Sequence, residues 1–236
     1  MDSIEIESFL AHTKLPQFKR KLLKTKEILQ KAFAITDNAY CAISWGKDSI
    51  VMLHLIQQIK PTIKAINIGD KFENKQNNYQ ETIDAYMQKI PTNYQAIYYE
   101  EETEGGFYHQ IRKIAKEYKL AFIGCRREES KYRAIVISKY GTIHKYKSGS
   151  YRCFPLAYWN VTDIWAYLFK YNLPYLNSYD LQGYESRTAV IHNFDLHRGK
   201  HQESLIRYGA FAELKLQCPE YYNLYADLYP EIRNYG

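Results

Sequence analysis

The chain has 236 residues, a formal net charge of +6 and a hydrophobic fraction of 46%. That is enough apolar material for a sizeable core and argues against disorder. No apolar run reaches bilayer-spanning length, and the start, Met1-Asp2-Ser3-Ile4-Glu5, is acidic and lacks a signal-peptide layout, so a cytoplasmic protein with no membrane partner is expected.

The four cysteines, Cys41, Cys125, Cys153 and Cys218, are scattered, and no pair has the close spacing of a zinc or iron–sulfur site. Free thiols and no iron–sulfur cluster are the expectation. The small basic excess suits an anionic ligand such as a nucleotide or a nucleic acid, and equally suits a solvated basic surface.

Residues 14–34 carry a helical pattern. Phe18, Leu22, Leu29 and Phe33 share one face, Lys19, Arg20, Lys21, Lys24 and Lys26 surround it, and Pro16 suits the first turn. This basic face is open to nucleic acid or simply to solvent.

From residue 39 strand and helix alternate. The pattern predicts strands at 39–44, 62–68, 94–99 and 120–124, with helices at 49–60, 74–89 and 107–118. This is an α/β arrangement: a parallel, Rossmann-like sheet with helices on both faces. Ligands in such sheets sit beyond the carboxyl ends of the strands, so the loops at 44–49, 67–73, 100–106 and 124–130 are expected to share one crevice. Further on, 142–147 and 151–154 suggest a hairpin around Ser148-Gly149-Ser150. A helix opens at Asn160, with Asp163 completing a capping box, and runs to about Tyr171. The last segment, 195–236, reads as helical. Three regions are expected: an N-terminal helical extension (1–38), a nucleotide-binding core (39–190) and a helical tail (191–236).

The stretch Ser44-Trp45-Gly46-Lys47-Asp48-Ser49 lies between the first strand and its helix. Gly46 permits a tight turn, and the helix aims its leading amides and dipole at an anion. Lys47 adds positive charge, and Ser44 and Ser49 add hydroxyls. Asp48 is the odd member beside phosphate; it suits capping of the loop amides or holding Mg²⁺. The Gly-x4-Gly-Lys-Ser/Thr spacing of a Walker A loop is missing.

This loop resembles the Ser-Gly-Gly-Lys-Asp-Ser loop of the PP-loop, or adenine nucleotide α-hydrolase, superfamily. Trp45 replaces the first glycine, and its indole is expected to narrow the pocket or cover the nucleotide. Gly124-Cys125-Arg126-Arg127-Glu128-Glu129-Ser130 with Arg133 resembles the Gly-x-Arg-x-x-Glu-Ser-x-x-Arg signature of the phosphoadenylyl-sulfate reductase branch. Pro155-Leu156, Trp159, Asp163-Ile164-Trp165, Leu173-Pro174-Tyr175, Tyr179-Asp180, Gly183 and Arg187 resemble the segment that follows it. Asn67-Ile68-Gly69 stands where relatives carry Asp-Thr-Gly.

The resemblance implies ATP, or phosphoadenylyl sulfate, bound by Ser44, Trp45, Gly46, Lys47, Asp48, Ser49, Asn67, Gly69, Arg126, Glu129, Ser130, Arg133 and Arg187. Arg126 and Arg133 would contact phosphate or sulfate, and Glu129 would orient an arginine or a metal. Trp159 and Trp165 are better read as core. Lys47, Asp48 and Arg126 would be catalytic, with Mg²⁺ at Asp48.

The reductases carry a Cys-Gly motif near the C-terminus, and no Cys-Gly pair occurs here. The favoured expectation is therefore an ATP pyrophosphatase that activates an acceptor, as in relatives serving tRNA thiolation and DNA phosphorothioate modification. In those systems a cysteine desulfurase supplies sulfur, with Cys125 as the candidate carrier. The alternatives are a sulfonucleotide reductase using Cys218 or an external thiol, and a non-catalytic nucleotide-binding subunit of a nucleic-acid-modifying complex. A nucleic acid and a homodimer stay open as partners.

Overall fold

The computed structural model describes residues 1–70, 79–99, 106–177, 179–180, 183–184, 215, 219–228 and 230–234. Arg187, Cys218, most of the expected C-terminal helical tail, and parts of the loops at 67–73 and 100–106 lie outside these residues.

The chain divides into two compact units, residues 2–176 and a second made of Met1 with residues 177–236. In the second, the described elements are α8 (Pro219–Leu228) and a 3₁₀ turn (Pro230–Asn234). The first contains α1 (Ser3–His12), α2 (Pro16–Ile35), β1 (Ala39–Ala42), α3 (Lys47–Gln57), β2 (Lys64–Asp70), α4 (Tyr79–Lys89) and β3 (Asn93–Tyr99). It continues with α5 (Gly106–Glu117), β4 (Leu120–Ile123), a 3₁₀ turn (Arg127–Glu129), α6 (Lys131–Tyr140), β5 (Ile143–Lys145), β6 (Tyr151–Cys153) and α7 (Val161–Lys170).

Among the described residues the strands form one six-stranded sheet, ordered β3-β2-β1-β4-β6-β5. Every pairing is parallel except β5 with β6. The alternating pattern thus yields the expected α/β sheet, and the hairpin forms its edge.

Strand alternation sends neighbouring side chains to opposite faces. On one face Tyr40 and Ile66 pack with Ile114 of α5, flanked by Ala42, Ile68 and Ala121. On the other, Phe122 meets Phe33 of α2, with ring centroids 5.0 Å apart. α2 buries Phe18, Thr25, Ile28, Leu29 and Ala32, which recur at helical spacing. Pro16 stands in its first turn, where the missing N–H costs nothing. Lys19, Arg20, Lys24 and Lys26 point to solvent, whereas Lys21 turns back and donates to the Asp163 carboxylate at 2.5 Å.

α7 begins as its sequence predicts. The Asn160 side chain accepts from the Asp163 amide at 2.8 Å, and Asp163 accepts from the Asn160 amide at 2.7 Å. Asp163 is fully buried and also meets His12 at 2.8 Å, which ties α1 to α7. Trp159 and Trp165 are both core residues. Trp159 donates to Thr25 at 2.8 Å, and Trp165 packs among Phe9, Phe169 and Tyr175.

Candidate nucleotide site at the carboxyl ends of three strands

β2, β1 and β4 are adjacent; the motifs at 44–49 and 124–130 follow the carboxyl ends of β1 and β4, and Asn67-Ile68-Gly69 lies in the last residues of β2 itself, which extends to Asp70. The Asn67 amide donates to the Ile43 carbonyl at 2.8 Å, fastening β2 to the end of β1. A Cβ at Gly69 would meet nothing closer than 3.5 Å, so the protein's own packing does not demand glycine there. Gly124 is different: a Cβ on it would lie 3.3 Å from the Asp48 carbonyl and the Ser49 amide nitrogen. The end of β4 therefore presses on the backbone of the 44–49 loop.

α3 starts two residues earlier than its pattern suggests. Gly46 is the N-cap and supplies no side-chain cap, so Lys47, Asp48 and Ser49 form the first turn. The positive end of the α3 dipole points out of this turn, the arrangement that favours an anion. The Ser49 hydroxyl folds the loop on itself. It donates to the Gly46 carbonyl at 2.9 Å and accepts from the Ser44 amide at 3.2 Å; the Ser44 hydroxyl lies 3.4 Å away.

The tight turn was expected at Gly46, but Gly46 has an ordinary φ of −73° and the left-handed residue is Trp45, at φ 58°. A side chain in that region costs about 1–2 kcal/mol. The indole offsets this by burial: it is 1% exposed. Its Nε1 donates to the Tyr94 hydroxyl at 3.2 Å, and its ring meets Tyr86 and Tyr94 edge-on. The expectation that Trp45 narrows or covers the nucleotide pocket is thus corrected. The indole points into the core, leaving only backbone at the loop.

Asp48 neither caps loop amides nor stands ready for a cation. Its carboxylate accepts from Arg126 Nε at 2.5 Å, and its other oxygen lies 3.9 Å from Lys47 Nζ. Burial raises its pKa, opposed first by Arg126 and then by Lys47. A dication here would meet the Arg126 guanidinium already bound to the carboxylate and the Lys47 ammonium 3.9 Å away, so the Mg²⁺ expected at Asp48 does not fit this arrangement.

Arg126 is itself buried, 5% exposed, and its guanidinium also pairs with Glu128. Glu128 was not a predicted site residue; its only signal is its place beside Glu129. Glu129 accepts from the Arg126 amide at 2.7 Å and pairs with Arg133. Ser130 caps α6, accepting from the Arg133 amide at 3.1 Å. One short segment thus holds two arginine–glutamate ion pairs, Arg126–Glu128 and Arg133–Glu129, beside the N-terminus of α3.

Cys125 sits next to this group, but its side chain packs on the apolar cluster of Ile137, Phe154 and Ala157. Burial pushes its thiol up to about 11, against the pull of Arg133. Cys41 and Cys153 are buried, and burial raises both thiols further. None of these three has the depressed pKa of a reactive thiolate.

A mostly parallel α/β sheet with a Ser-x-Gly-Lys-Asp-Ser stretch running from the end of β1 into the first turn of α3 defines a PP-loop protein. The chain belongs to the phosphoadenosine phosphosulfate reductase domain family, whose model matches residues 38–187. It is 29% identical over 170 residues to an adenosine 5'-phosphosulfate reductase of Bacillus cereus strain 03BB102, covering 61% of this chain and 68% of that one. A second such reductase, from Bacillus cereus strain B4264, is 26% identical over 176 residues, covering 64% of this chain and 70% of that one. Among solved structures, phosphoadenylyl-sulfate reductase from Candida auris in a phosphate complex superposes with a TM-score of 0.51 at 16% identity. That match covers 77% of this chain and 92% of the other, and it is a likeness of fold. No helix among the described residues is long and apolar enough to cross a membrane.

Proposed function

We propose that this chain binds ATP at the carboxyl ends of β2, β1 and β4 and cleaves it between the α and β phosphates. An acceptor nucleophile attacks the α phosphorus, an adenylate forms on the acceptor, and pyrophosphate leaves. The observation that carries this reading is the cluster at the N-terminus of α3, where Lys47, the leading amides and Arg126 converge. Charge that builds on departing pyrophosphate would meet fixed donors there. Such donors are worth about 10²–10³ in rate when removed singly.

Lys47 is 2% exposed, so its ammonium acts in a site that excludes much of the water. Arg126 is held by Asp48 and Glu128 and would exchange a carboxylate for a phosphate oxygen on binding. The high pKa of Cys125 speaks against a thiolate there as the attacking group. Sulfur would then come from a separate donor, such as a cysteine desulfurase, to an acceptor of the kind modified in nucleic-acid thiolation.

Reduction of a sulfonucleotide is the second reading, favoured by the two Bacillus cereus relatives named as adenosine 5'-phosphosulfate reductases. It needs an attacking thiol, and Cys218 or an external thiol would have to serve. One pair of incubations separates the readings. Pyrophosphate is measured with ATP and Mg²⁺, and sulfite with a sulfonucleotide and reduced thioredoxin. Pyrophosphate without sulfite supports the first reading; sulfite without pyrophosphate replaces it with the second.

A further inference from the structure

The 33 residues from Ser130 to Thr162 contain no aspartate or glutamate and six basic residues: Lys131, Arg133, Lys139, Lys145, Lys147 and Arg152. Six is also the net charge of the whole chain, so the rest of the chain is formally neutral. These residues build α6, β5 and β6, and β5 is an edge strand. The positive charge is therefore gathered at one side of the sheet.

Aromatic rings interleave with that charge. Tyr140, His144 and Tyr146 form a continuous stack with successive centroids 4.4 Å apart. Arg152 caps the stack, its guanidinium 4.7 Å from the Tyr146 ring centre, and Lys139 Nζ lies 5.1 Å from that of Tyr140. Cross-strand register fixes the arrangement: His144 pairs with Arg152 on β6. Tyr140 is 46% exposed although it heads a stack of flat rings. His144 Nδ1 is buried and has no hydrogen-bond partner among the described residues. A core-forming aromatic cluster would cover Tyr140, and a solvated basic surface would not place rings in register.

We propose that this edge, from the end of α6 along the β5–β6 hairpin, binds single-stranded nucleic acid. The phosphates would lie along the lysines and Arg152, and an unstacked base would extend the ring stack at Tyr140, sending the Lys139 ammonium from that ring to a phosphate. A basic track combined with ring faces is what recognition of single strands requires. A protein partner would call for carboxylates complementary to the same lysines but gives no reason for a ring stack whose outermost ring is 46% exposed. The proposal names a partner suited to the acceptor side of the proposed reaction, yet binding is read without ATP. Its failure leaves pyrophosphate release standing, and the reverse also holds.

The test is fluorescence anisotropy with labelled RNA and DNA strands of about 16 nucleotides and a duplex of the same sequence. Heparin serves as an anionic competitor without bases. Titrations run at about 50 and about 200 mM salt. The wild type is expected to bind single strands at least about fivefold tighter than duplex, since bases are open only in the former. Equal affinity for RNA and DNA would place recognition on phosphates and base faces, and a preference for RNA would add the 2'-hydroxyl; both support the proposal. The triple variant K139A/K145A/K147A is expected to lose at least about tenfold and to flatten the salt slope by about 2. Tyr140→Ala is expected to lose about tenfold for single strands with heparin unchanged. Thermal melts confirm that the variants fold. The proposal is overturned if single strands bind no better than duplex, or if either variant binds them like the wild type.

Discussion

Arg126 donates from Nε to the Asp48 carboxylate at 2.5 Å, joining the turn after β4 to the first turn of α3 across 78 positions of sequence. Both side chains are largely shielded, 6% and 19% exposed. The pair fixes the anion-attracting helix end against the arginine that would share its ligand. Removing one partner leaves the other shielded with a single opposite charge, Lys47 at 3.9 Å for Asp48 or Glu128 for Arg126. Arg126→Ala is expected to cost about 3 kcal/mol of stability. Asp48→Ala, made together with Arg126→Ala, should cost less than the sum of the two singles by at least about 1 kcal/mol. Chemical denaturation of the four proteins checks this, and strict additivity would mean the pair carries no coupling.

Trp45→Gly separates two opposing effects. It relieves a left-handed side chain, worth about 1–2 kcal/mol, and removes a buried indole, worth about 3–5 kcal/mol. The net expectation is a loss of about 3 kcal/mol, seen as a melting temperature lower by about 6–12 °C. Because the indole faces the core, ATP affinity below the melting range should change less than about threefold. A gain of tenfold or more in affinity would restore the idea that the ring narrows the pocket.

These two features mark where sequence stops being informative. The alternation of strands and helices, the capping box at Asn160 and Asp163, and the helical face of α2 are local patterns, and all are legible. The positive φ at Trp45 is not, because local sterics assign such a turn to glycine. The residue is held there by Tyr86 and Tyr94, whose rings arrive from α4 and β3. The Asp48–Arg126 pair is equally hidden, since each motif by itself reads as an independent phosphate contact. Glu128 escaped for a simpler reason: adjacent glutamates offer two candidate partners, and only the fold shows that both are used.

Gly124→Ala tests the contact between β4 and the loop. The added Cβ would sit 3.3 Å from backbone atoms of Asp48 and Ser49, which cannot rotate away as a side chain can. The loop must shift by a few tenths of an ångström. Turnover of ATP is expected to fall by about tenfold, because catalytic geometry tolerates little displacement. Stability should change far less than in Arg126→Ala. Paired measurements of pyrophosphate release and thermal melting decide the point, and unchanged turnover would show that the loop has slack.

Cys125 gives a pH prediction. With its thiol pushed up to about 11, the thiolate fraction at pH 8 is about one in a thousand. Alkylation by iodoacetamide, followed by mass spectrometry of the peptide, should rise about tenfold per pH unit from pH 7 to pH 10. Cys125→Ala should retain pyrophosphate release within about twofold. Rapid alkylation at pH 7, or loss of turnover in the variant, would make Cys125 a reactive group.

Calorimetric titration of ATP into the wild type and into Lys47→Met bears most directly on the central claim. Methionine keeps the apolar bulk of this buried side chain and removes its ammonium, and Asp48 retains Arg126 as a partner. Loss of a charge-assisted contact predicts affinity weaker by about tenfold to a hundredfold, with the fold intact by thermal melting. Affinity equal to that of the wild type would contradict nucleotide phosphates lying at the N-terminus of α3.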